Sequence, residues 1–158
     1  MNCIYSNLIL YKKNKILFEK RFSSLAEIID KHITDDDILN YCKDKLDIQI
    51  GKTNLPTVKE NGKFWHSFYS PEKEASSLVT TSECKEKSTI VFLGYGLGYG
   101  TLEASKNHPD KTIIIIEPDI NYALFPFFYT DFSKLFQHEK LIMLFGAEHQ
   151  HVISMLEN

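Results

Sequence analysis

Short apolar runs separated by helical patterns organise the second half of the chain. Thr89–Leu93 and residues 112–116 are apolar stretches of the length and composition typical of buried strands. Tyr99–Asn107 lies between them with helical spacing, and residues 140–145 predict a third strand. Because strands and helices alternate, this order predicts an α/β fold with a short parallel sheet in a βαβαβα arrangement.

The segments that link and follow these strands also predict helices. Residues 119–129 are expected to be helical, with Pro126 bending or ending the helix because proline has no amide hydrogen. A short helical turn over residues 131–136 and a last helix over residues 147–156 complete the pattern. The aromatic run at residues 125–129 is expected to belong to the core.

The first third of the chain is less regular. Apolar residues recur at helical spacing, although a hairpin turning at residues 12–15 fits the same stretch; helices are favoured. Residues 24–27 resemble a capping box that opens a helix through His32. Residues 34–37 predict a second helix that runs to about Asp44, because their side-chain oxygens can accept the free amides of its first turn.

Strand and turn signals follow these helices. Asp47–Ile50 alternates polar and apolar residues, and residues 55–59 and 63–68 flank Asn61 and Gly62. Asn-Gly between two such runs is a strong signal for a β-hairpin. The sequence therefore predicts strands over this region.

The chain is predicted to form one unit. Ser70 and Pro71 supply the N-cap hydroxyl and first-turn proline of a further helix, and no Ser/Gly-rich linker separates the two halves. Residues 1–158 are therefore expected to be a single Rossmann-like domain of three layers. Within it, residues 1–69 form a helical and β-hairpin extension, and residues 70–158 form the βα units.

Composition narrows the classes of function. The chain has 158 residues, of which 43% are hydrophobic and 25% charged, with a net charge of −3, which suits one globular domain. No basic stripe is present, so a nucleic acid is not the expected partner. Arg21 is the only arginine, so any bound phosphate would rest on backbone amides and lysines.

The spacing of the cysteines and the length of the apolar stretches indicate the cellular compartment. Cys3, Cys42 and Cys84 lie far apart and match neither a zinc pattern nor a disulfide framework. A reducing cytoplasm is the expected location. The sequence shows neither a signal peptide nor an apolar stretch long enough to span a bilayer, so no membrane association is expected.

One stretch carries the candidate binding chemistry. Gly94, Gly96, Gly98 and Gly100 follow the first predicted parallel strand at every second position, and Glu117 ends the next. Glycines let the backbone turn sharply and approach a ligand closely, and a following helix aims free amides at it. A carboxylate in the position of Glu117 holds ribose in nucleotide-binding folds. These five residues are the predicted ligand-binding cleft.

The glycine spacing leaves the class of ligand open. A dinucleotide fingerprint needs a glycine where Tyr99 or Thr101 stands, and no Gly-Lys-Ser/Thr of a phosphate loop follows. The Gly-x-Gly-x-Gly pattern with Glu117 resembles methyltransferases that bind S-adenosylmethionine, although residues 91–93 lack the acidic residue that usually precedes the first glycine. A small S-adenosylmethionine- or nucleotide-binding enzyme is one hypothesis. The alternative is a compact βα turn beside a solvated carboxylate.

Other polar clusters have simpler interpretations. His149 and His151 would face different directions on a helix, so they are not expected to share a metal ion. His66 lies on a predicted strand and is interpreted as a half-exposed packing residue. The acidic residues 35–37 suit helix capping better than a metal loop. The sequence shows no nucleophile and base at diagnostic spacing, so no catalytic residue is assigned.

Three motifs follow one another in the order of a known family. Residues 66–75 read His-Ser-Phe-Tyr-Ser-Pro-Glu-Lys-Glu-Ala, residues 92–99 read Phe-Leu-Gly-Tyr-Gly-Leu-Gly-Tyr, and residues 116–119 read Ile-Glu-Pro-Asp. The opening residues 5–8, Tyr-Ser-Asn-Leu, and the Asn-Leu at residues 54–55 agree with this order. Over nearly the whole chain, the pattern resembles the amino-terminal region of the motility accessory factor (Maf) family of flagellin glycosyltransferases.

The resemblance implies a role in transferring nonulosonic acids, of the pseudaminic or legionaminic type, onto flagellin, and so in motility. In that family the catalytic step is expected in a central domain, so this chain would be an accessory domain that is not catalytic alone. Flagellin or a catalytic glycosyltransferase domain is the implied partner, and a homo-oligomer is a further candidate. A nucleotide or a sugar nucleotide is the candidate ligand of the cleft.

Overall fold

The computed structural model describes residues 7–147 and 149–156 and shows a mixed α/β protein. One three-stranded sheet is antiparallel and the other is parallel. The first two residues of the opening motif, Tyr5 and Ser6, and the cysteine Cys3 lie outside the described residues.

Most helices and strands follow the predicted order, but the α-helix predicted between the last two strands does not form. The helices are α1 (Leu8–Arg21), α2 (Ser23–His32), α3 (Asp35–Lys45), α4 (Pro71–Val79), α5 (Ser82–Glu86), α6 (Tyr99–Asn107) and α7 (His149–Leu156). The strands are β1 (Asp47–Ile50), β2 (Pro56–Glu60), β3 (Lys63–Phe64), β4 (Thr89–Leu93), β5 (Thr112–Glu117) and β6 (Leu141–Phe145). The link from β5 to β6 contains 3-10 helices at Ile120–Tyr122, Phe125–Phe128 and Leu135–Gln137. No helix in the described ranges is long and apolar enough to cross a bilayer.

The parallel sheet has the strand order β4-β5-β6, with β5 in the centre. Leu93 at the end of β4 pairs with Ile116 in β5. Glu117 is the last residue of β5 and pairs with Phe145 in β6. The glycine turn that follows β4 therefore begins beside Glu117.

The prediction that β4 is buried is wrong for one of its faces. Val91 is 41% exposed and Leu93 is 80% exposed, whereas Ile90 is 9% exposed. In the part of the chain that the structure describes, β4 pairs only with β5 and therefore lies at the edge of the sheet. The central strand β5 is buried or half-buried along its whole length, as predicted.

The antiparallel sheet contains the predicted hairpin. Asn61 and Gly62 have φ values of +49° and +81°, which are the left-handed conformations that a tight hairpin turn requires. β3 covers only Lys63–Phe64 and is shorter than predicted. Further along, the Ser67 hydroxyl accepts the amides of Tyr69 and Ser70, at 3.3 and 3.2 Å, in the turn that leads to α4.

The amino-terminal stretch is helical, so the hairpin alternative there is wrong. α2 begins directly after Phe22 without a side-chain cap, and the capping box predicted at residues 24–27 does not form. α3 has the predicted cap: the Thr34 hydroxyl accepts the Asp37 amide at 3.2 Å, and the Asp37 carboxylate accepts the Thr34 amide at 3.0 Å. α4 begins at Pro71 as predicted, although the hydroxyl of the preceding serine makes no capping bond.

The helix predicted over residues 119–129 is replaced by two 3-10 helices. The Asp119 carboxylate accepts the amide of Asn121 at 2.9 Å and turns the chain immediately after β5. Pro126 lies in the first turn of the second 3-10 helix, where its missing amide hydrogen removes no helical bond. The turn predicted over residues 131–136 also contains a 3-10 helix. The connection from β5 to β6 is therefore not an α-helix.

Aromatic side chains from α1 and from the β5–β6 link form the centre of the core. The ring centroid of Phe18 lies 5.6 Å from that of Phe127 and 6.1 Å from that of Phe145. Tyr11 stacks on Phe128 with a centroid distance of 4.1 Å. All five side chains are buried, which confirms that the aromatic run of the link belongs to the core.

One buried polar side chain, Asn14 in α1, fixes the backbone of this link. Its Nδ2 donates to the carbonyls of Phe127 at 3.0 Å and Thr130 at 2.7 Å. Its Oδ1 accepts the amide of Phe132 at 2.9 Å. Because Asn14 is fully buried, no solvent replaces these bonds, and the side chain holds the irregular link against α1.

We expect Asn14→Ala to lower the free energy of unfolding by about 2–4 kcal/mol, because it leaves three buried backbone groups without a partner. Asn40→Ala on the exposed surface of α3 is the control, with an expected change within about 0.5 kcal/mol. Urea denaturation measures both. Equal stability of the two variants would show that Asn14 does not hold the link.

Candidate functional site

The glycine turn leads from β4 into α6. Gly94, Gly96 and Gly98 have φ values of +73°, +52° and +88°, a conformation in which a side chain would crowd the backbone. The Gly94 amide donates to the carbonyl of Ile116 at 2.7 Å. The turn is therefore tied to the end of the neighbouring strand.

Two of these glycines lie against other side chains with no room for a Cβ atom. A Cβ on Gly96 would stand 2.5 Å from Nε2 of His66, and a Cβ on Gly98 would stand 2.4 Å from the ring of Phe132. Neither distance is compatible with a side chain. Glycine at these two positions is therefore required by the packing of the protein itself, whether or not a ligand binds.

His66 holds the turn through its ring. Nε2 accepts the amide of Leu97 at 2.8 Å, so this nitrogen carries no proton in the bonded form. The ring meets Tyr99 edge-to-face at 5.0 Å, and the Tyr99 hydroxyl donates to the carbonyl of Pro56 at 2.8 Å. Burial lowers the pKa of His66, and Glu74 raises it by a smaller amount. The sequence predicted His66 as a packing residue and gave no sign of its hydrogen bond to the glycine turn.

Glu117 is buried at the end of β5, so it is not a solvated strand end. It is 7% exposed, and its Oε1 accepts the amide of Asp119 at 3.2 Å. The Tyr95 amide also favours the charged form of this carboxylate. Burial raises the pKa of Glu117, while these two amides act in the opposite direction because they favour the charged form. The Glu117 carboxylate therefore lies beside the start of the glycine turn, close to Gly94.

A cavity of about 430 Å³ lies between the glycine turn, the hairpin region and α4, within the size range of small-molecule pockets. Gly94, Gly96, Gly100 and Glu117 line it, whereas Gly98 packs into the core. A Cβ on Gly94 would meet only the Glu117 Oε2, at 3.8 Å, so this glycine borders open space. The other lining residues are Trp65, His66, Glu74, Ala75, Leu78, Phe92, Leu93, Tyr95 and Tyr122.

Trp65 and Tyr122 form an aromatic wall of the cavity. Their ring centroids are 5.4 Å apart and the rings are nearly perpendicular, at 86°. Glu60 fixes both rings, because its carboxylate accepts the Trp65 indole N–H at 3.0 Å and the Tyr122 hydroxyl at 2.9 Å. One carboxylate thus sets the orientation of the aromatic wall before any ligand arrives.

The cavity offers binding groups of two kinds. The aromatic wall supplies apolar surface, and the carboxylates of Glu74 and Glu117 supply hydrogen-bond acceptors. Within residues 7–147 and 149–156, no three His, Cys, Asp or Glu side chains are grouped so that they could hold a metal ion. The side chains of His149 and His151 are outside the described residues, so their orientation stays a prediction.

Sequence patterns located part of this lining. Four of the five predicted cleft residues line the cavity, and Gly98 is in the same turn. Trp65, Glu74 and Tyr122 were missed because no spacing along the chain connects them with the glycines. Of these three residues, only Glu74 belongs to the family motif at residues 66–75, part of which lines the cavity.

Comparison with known proteins relates the fold to a glycosyltransferase. No protein-family model matches the chain. A protein of Treponema pallidum (strain Nichols), described as an uncharacterized protein, is 28% identical over 137 residues, which are 85% of this chain and 46% of that protein. A Maf glycosyltransferase structure from Magnetospirillum magneticum AMB-1 has a TM-score of 0.65 and 14% identity, over 95% of this chain and 29% of that chain. The chain spans less than half the length of either, and the second match confirms the Maf resemblance at the level of the fold.

We expect Gly96→Ala to lower the free energy of unfolding by about 2–5 kcal/mol, because left-handed strain adds to a clash with the His66 ring. Gly62→Ala is the matched control: its φ is also left-handed, at +81°, but nothing lies within 4 Å of its Cβ, so a loss of about 1–2 kcal/mol is expected. Denaturant unfolding measures the difference. Equal losses for the two variants would show that the approach of His66 does not constrain the turn.

We also expect the stability of the protein to decrease as the pH falls below about 6.5, the ordinary pKa of histidine. The folded pKa of His66 is lowered, so the unfolded chain binds a proton first; the stabilisation is complete above the unfolded pKa and is lost as the pH falls towards the folded pKa. His66→Gln, which can accept the Leu97 amide but does not titrate, should show a weaker pH dependence. His32→Gln on the exposed end of α2 should keep the wild-type slope, and an unchanged slope in His66→Gln would contradict the assignment.

Proposed function

We propose that this chain is the accessory domain of a Maf-like protein that serves the O-glycosylation of flagellin with nonulosonic acids, and thereby motility. The observation that carries the proposal is the fold match to a Maf glycosyltransferase over 95% of the chain. The convergence of residues 66–75, the glycine turn and Glu117 on one cavity supports it further. These are the segments on which the family resemblance rests.

The proposed role is to position a substrate or a neighbouring domain. The chain corresponds to 29% of the Maf glycosyltransferase, and we assign the transfer of the sugar to a separate catalytic domain. Flagellin or that domain is the proposed partner, in the cytoplasm, and association with a second copy is a further proposal. The exposed side chains of Val91 and Leu93 on edge strand β4 offer apolar surface for such a contact.

We also propose that the parallel sheet is the first part of a Rossmann-like arrangement and that the glycine turn is its binding cleft. Three parallel strands lie in chain order, the glycine turn follows the first strand, and Glu117 ends the second. In doubly wound folds these positions hold a nucleotide. The proposed binding residues are Gly94, Gly96, Gly100 and Glu117, which line the cavity, whereas Gly98 packs into the core and shapes the turn.

The test is the intact mass of flagellin from a strain that lacks the gene for this protein. We expect the mass to fall by the nonulosonic acid increments and motility to decrease, because the accessory domain no longer supports glycosylation. Reintroduction of the wild-type gene, or of the Gly62→Ala control, should restore both. Flagellin of unchanged mass in the deletion strain would refute the proposed function.

A further inference from the structure

The cavity beside the glycine turn is acidic. Glu74 and Glu117 both line it, and no lysine or arginine of the described chain does so. The only arginine, Arg21, is engaged by the backbone carbonyls of Phe136 and His138. An anion in the cavity would therefore meet two carboxylates without a cation to balance them.

Three amides of the glycine turn are already bonded within the protein. The amides of Gly94, Leu97 and Gly98 donate, in order, to the carbonyl of Ile116, the ring of His66 and the carbonyl of Tyr95. The amino-terminal end of α6 contributes about half a unit of positive charge, which is less than the charge of the two carboxylates. These three amides are therefore not available to a phosphate group, and the net negative charge of the lining disfavours one.

The remaining features suit a flat ring and a pair of hydroxyl groups. Trp65 and Tyr122 hold a fixed aromatic surface on which a ring can pack. The carboxylate of Glu117 keeps acceptor capacity after the amides of Tyr95 and Asp119 are counted, because a carboxylate offers about four lone-pair sites. Hydroxyl donors complement such an acceptor, whereas phosphate oxygens do not.

We infer that the cavity binds a ligand of the nucleoside class that is uncharged or cationic and carries no phosphate. Its base packs on Trp65 and Tyr122, and its ribose hydroxyls donate to Glu117. This inference rests on the proposed binding cleft. It narrows the class of ligand that the cleft binds, because it excludes sugar nucleotides and other phosphorylated compounds from this cavity.

The chain itself contains the probe for this test. Trp65 is its only tryptophan and lies in the cavity wall, so its fluorescence reports occupancy directly. The purified chain is titrated with the pairs adenosine and AMP, and cytidine and CMP, and with S-adenosylmethionine as a cationic nucleoside. We expect a saturable change with at least one nucleoside, and an affinity about tenfold or more weaker for its monophosphate, because like charges face each other. Equal or tighter binding of the monophosphate would overturn the inference, as would no response to any nucleoside by fluorescence and calorimetry.

A charge-neutral variant separates the role of Glu117 from that of the aromatic wall. Glu117→Gln should weaken nucleoside binding about tenfold and reduce the discrimination against the monophosphate. Glutamine has nearly the same shape as glutamate, so the substitution mainly removes the charge of the acceptor. Glu83→Gln on the exposed surface of α5 should leave both affinities unchanged. Thermal unfolding confirms that each variant is folded. Full discrimination in a folded Glu117→Gln variant would refute the electrostatic argument.

The two proposals fail in different experiments. Unchanged flagellin mass in the deletion strain would remove the glycosylation role, whatever the cavity binds. A cavity that prefers phosphorylated ligands would remove the nucleoside inference and leave the result on flagellin intact.

Discussion

The approach of the glycine turn to His66 on one side and to Phe132 on the other is the constraint on which this structure depends. A Cβ atom on Gly96 or Gly98 would stand too close to these rings for any side chain to fit. Because the turn fits between these two rings, the hairpin region that carries His66 is held against the parallel sheet. The cavity lies at this junction. Without the contact between the turn and His66, the cavity would lose the wall that the hairpin region forms.

The turn is also anchored from within the core. Tyr95 is buried, its ring stacks on Phe145 at 5.5 Å, and its hydroxyl donates to the carbonyl of Ala123. The same aromatic core reaches α1, where Asn14 bonds the irregular link between β5 and β6. The site therefore rests on packed side chains, which favours a preformed geometry over one that a ligand must create.

The polar groups around the cavity are arranged mainly to hold its own walls. His66 accepts the Leu97 amide of the turn, Glu60 orients the two aromatic rings, and Glu117 accepts the amide of Asp119. This use of polar groups explains how a glycine-rich turn can border an acidic cavity. The fold itself is similar to part of a Maf glycosyltransferase.

The sequence by itself determined the local elements and the position of the glycine turn. Hydrophobic periodicity predicted most helices and strands, Asn61 and Gly62 predicted the hairpin, and alternating glycines marked the turn, because these signals act between near neighbours. Only the tertiary structure decided the 3-10 link after β5, the exposed face of β4 and the identity of the cavity wall. Those features depend on contacts between distant segments, such as the amide of Leu97 on the ring of His66, and no periodicity along the chain encodes which distant partner a side chain will meet.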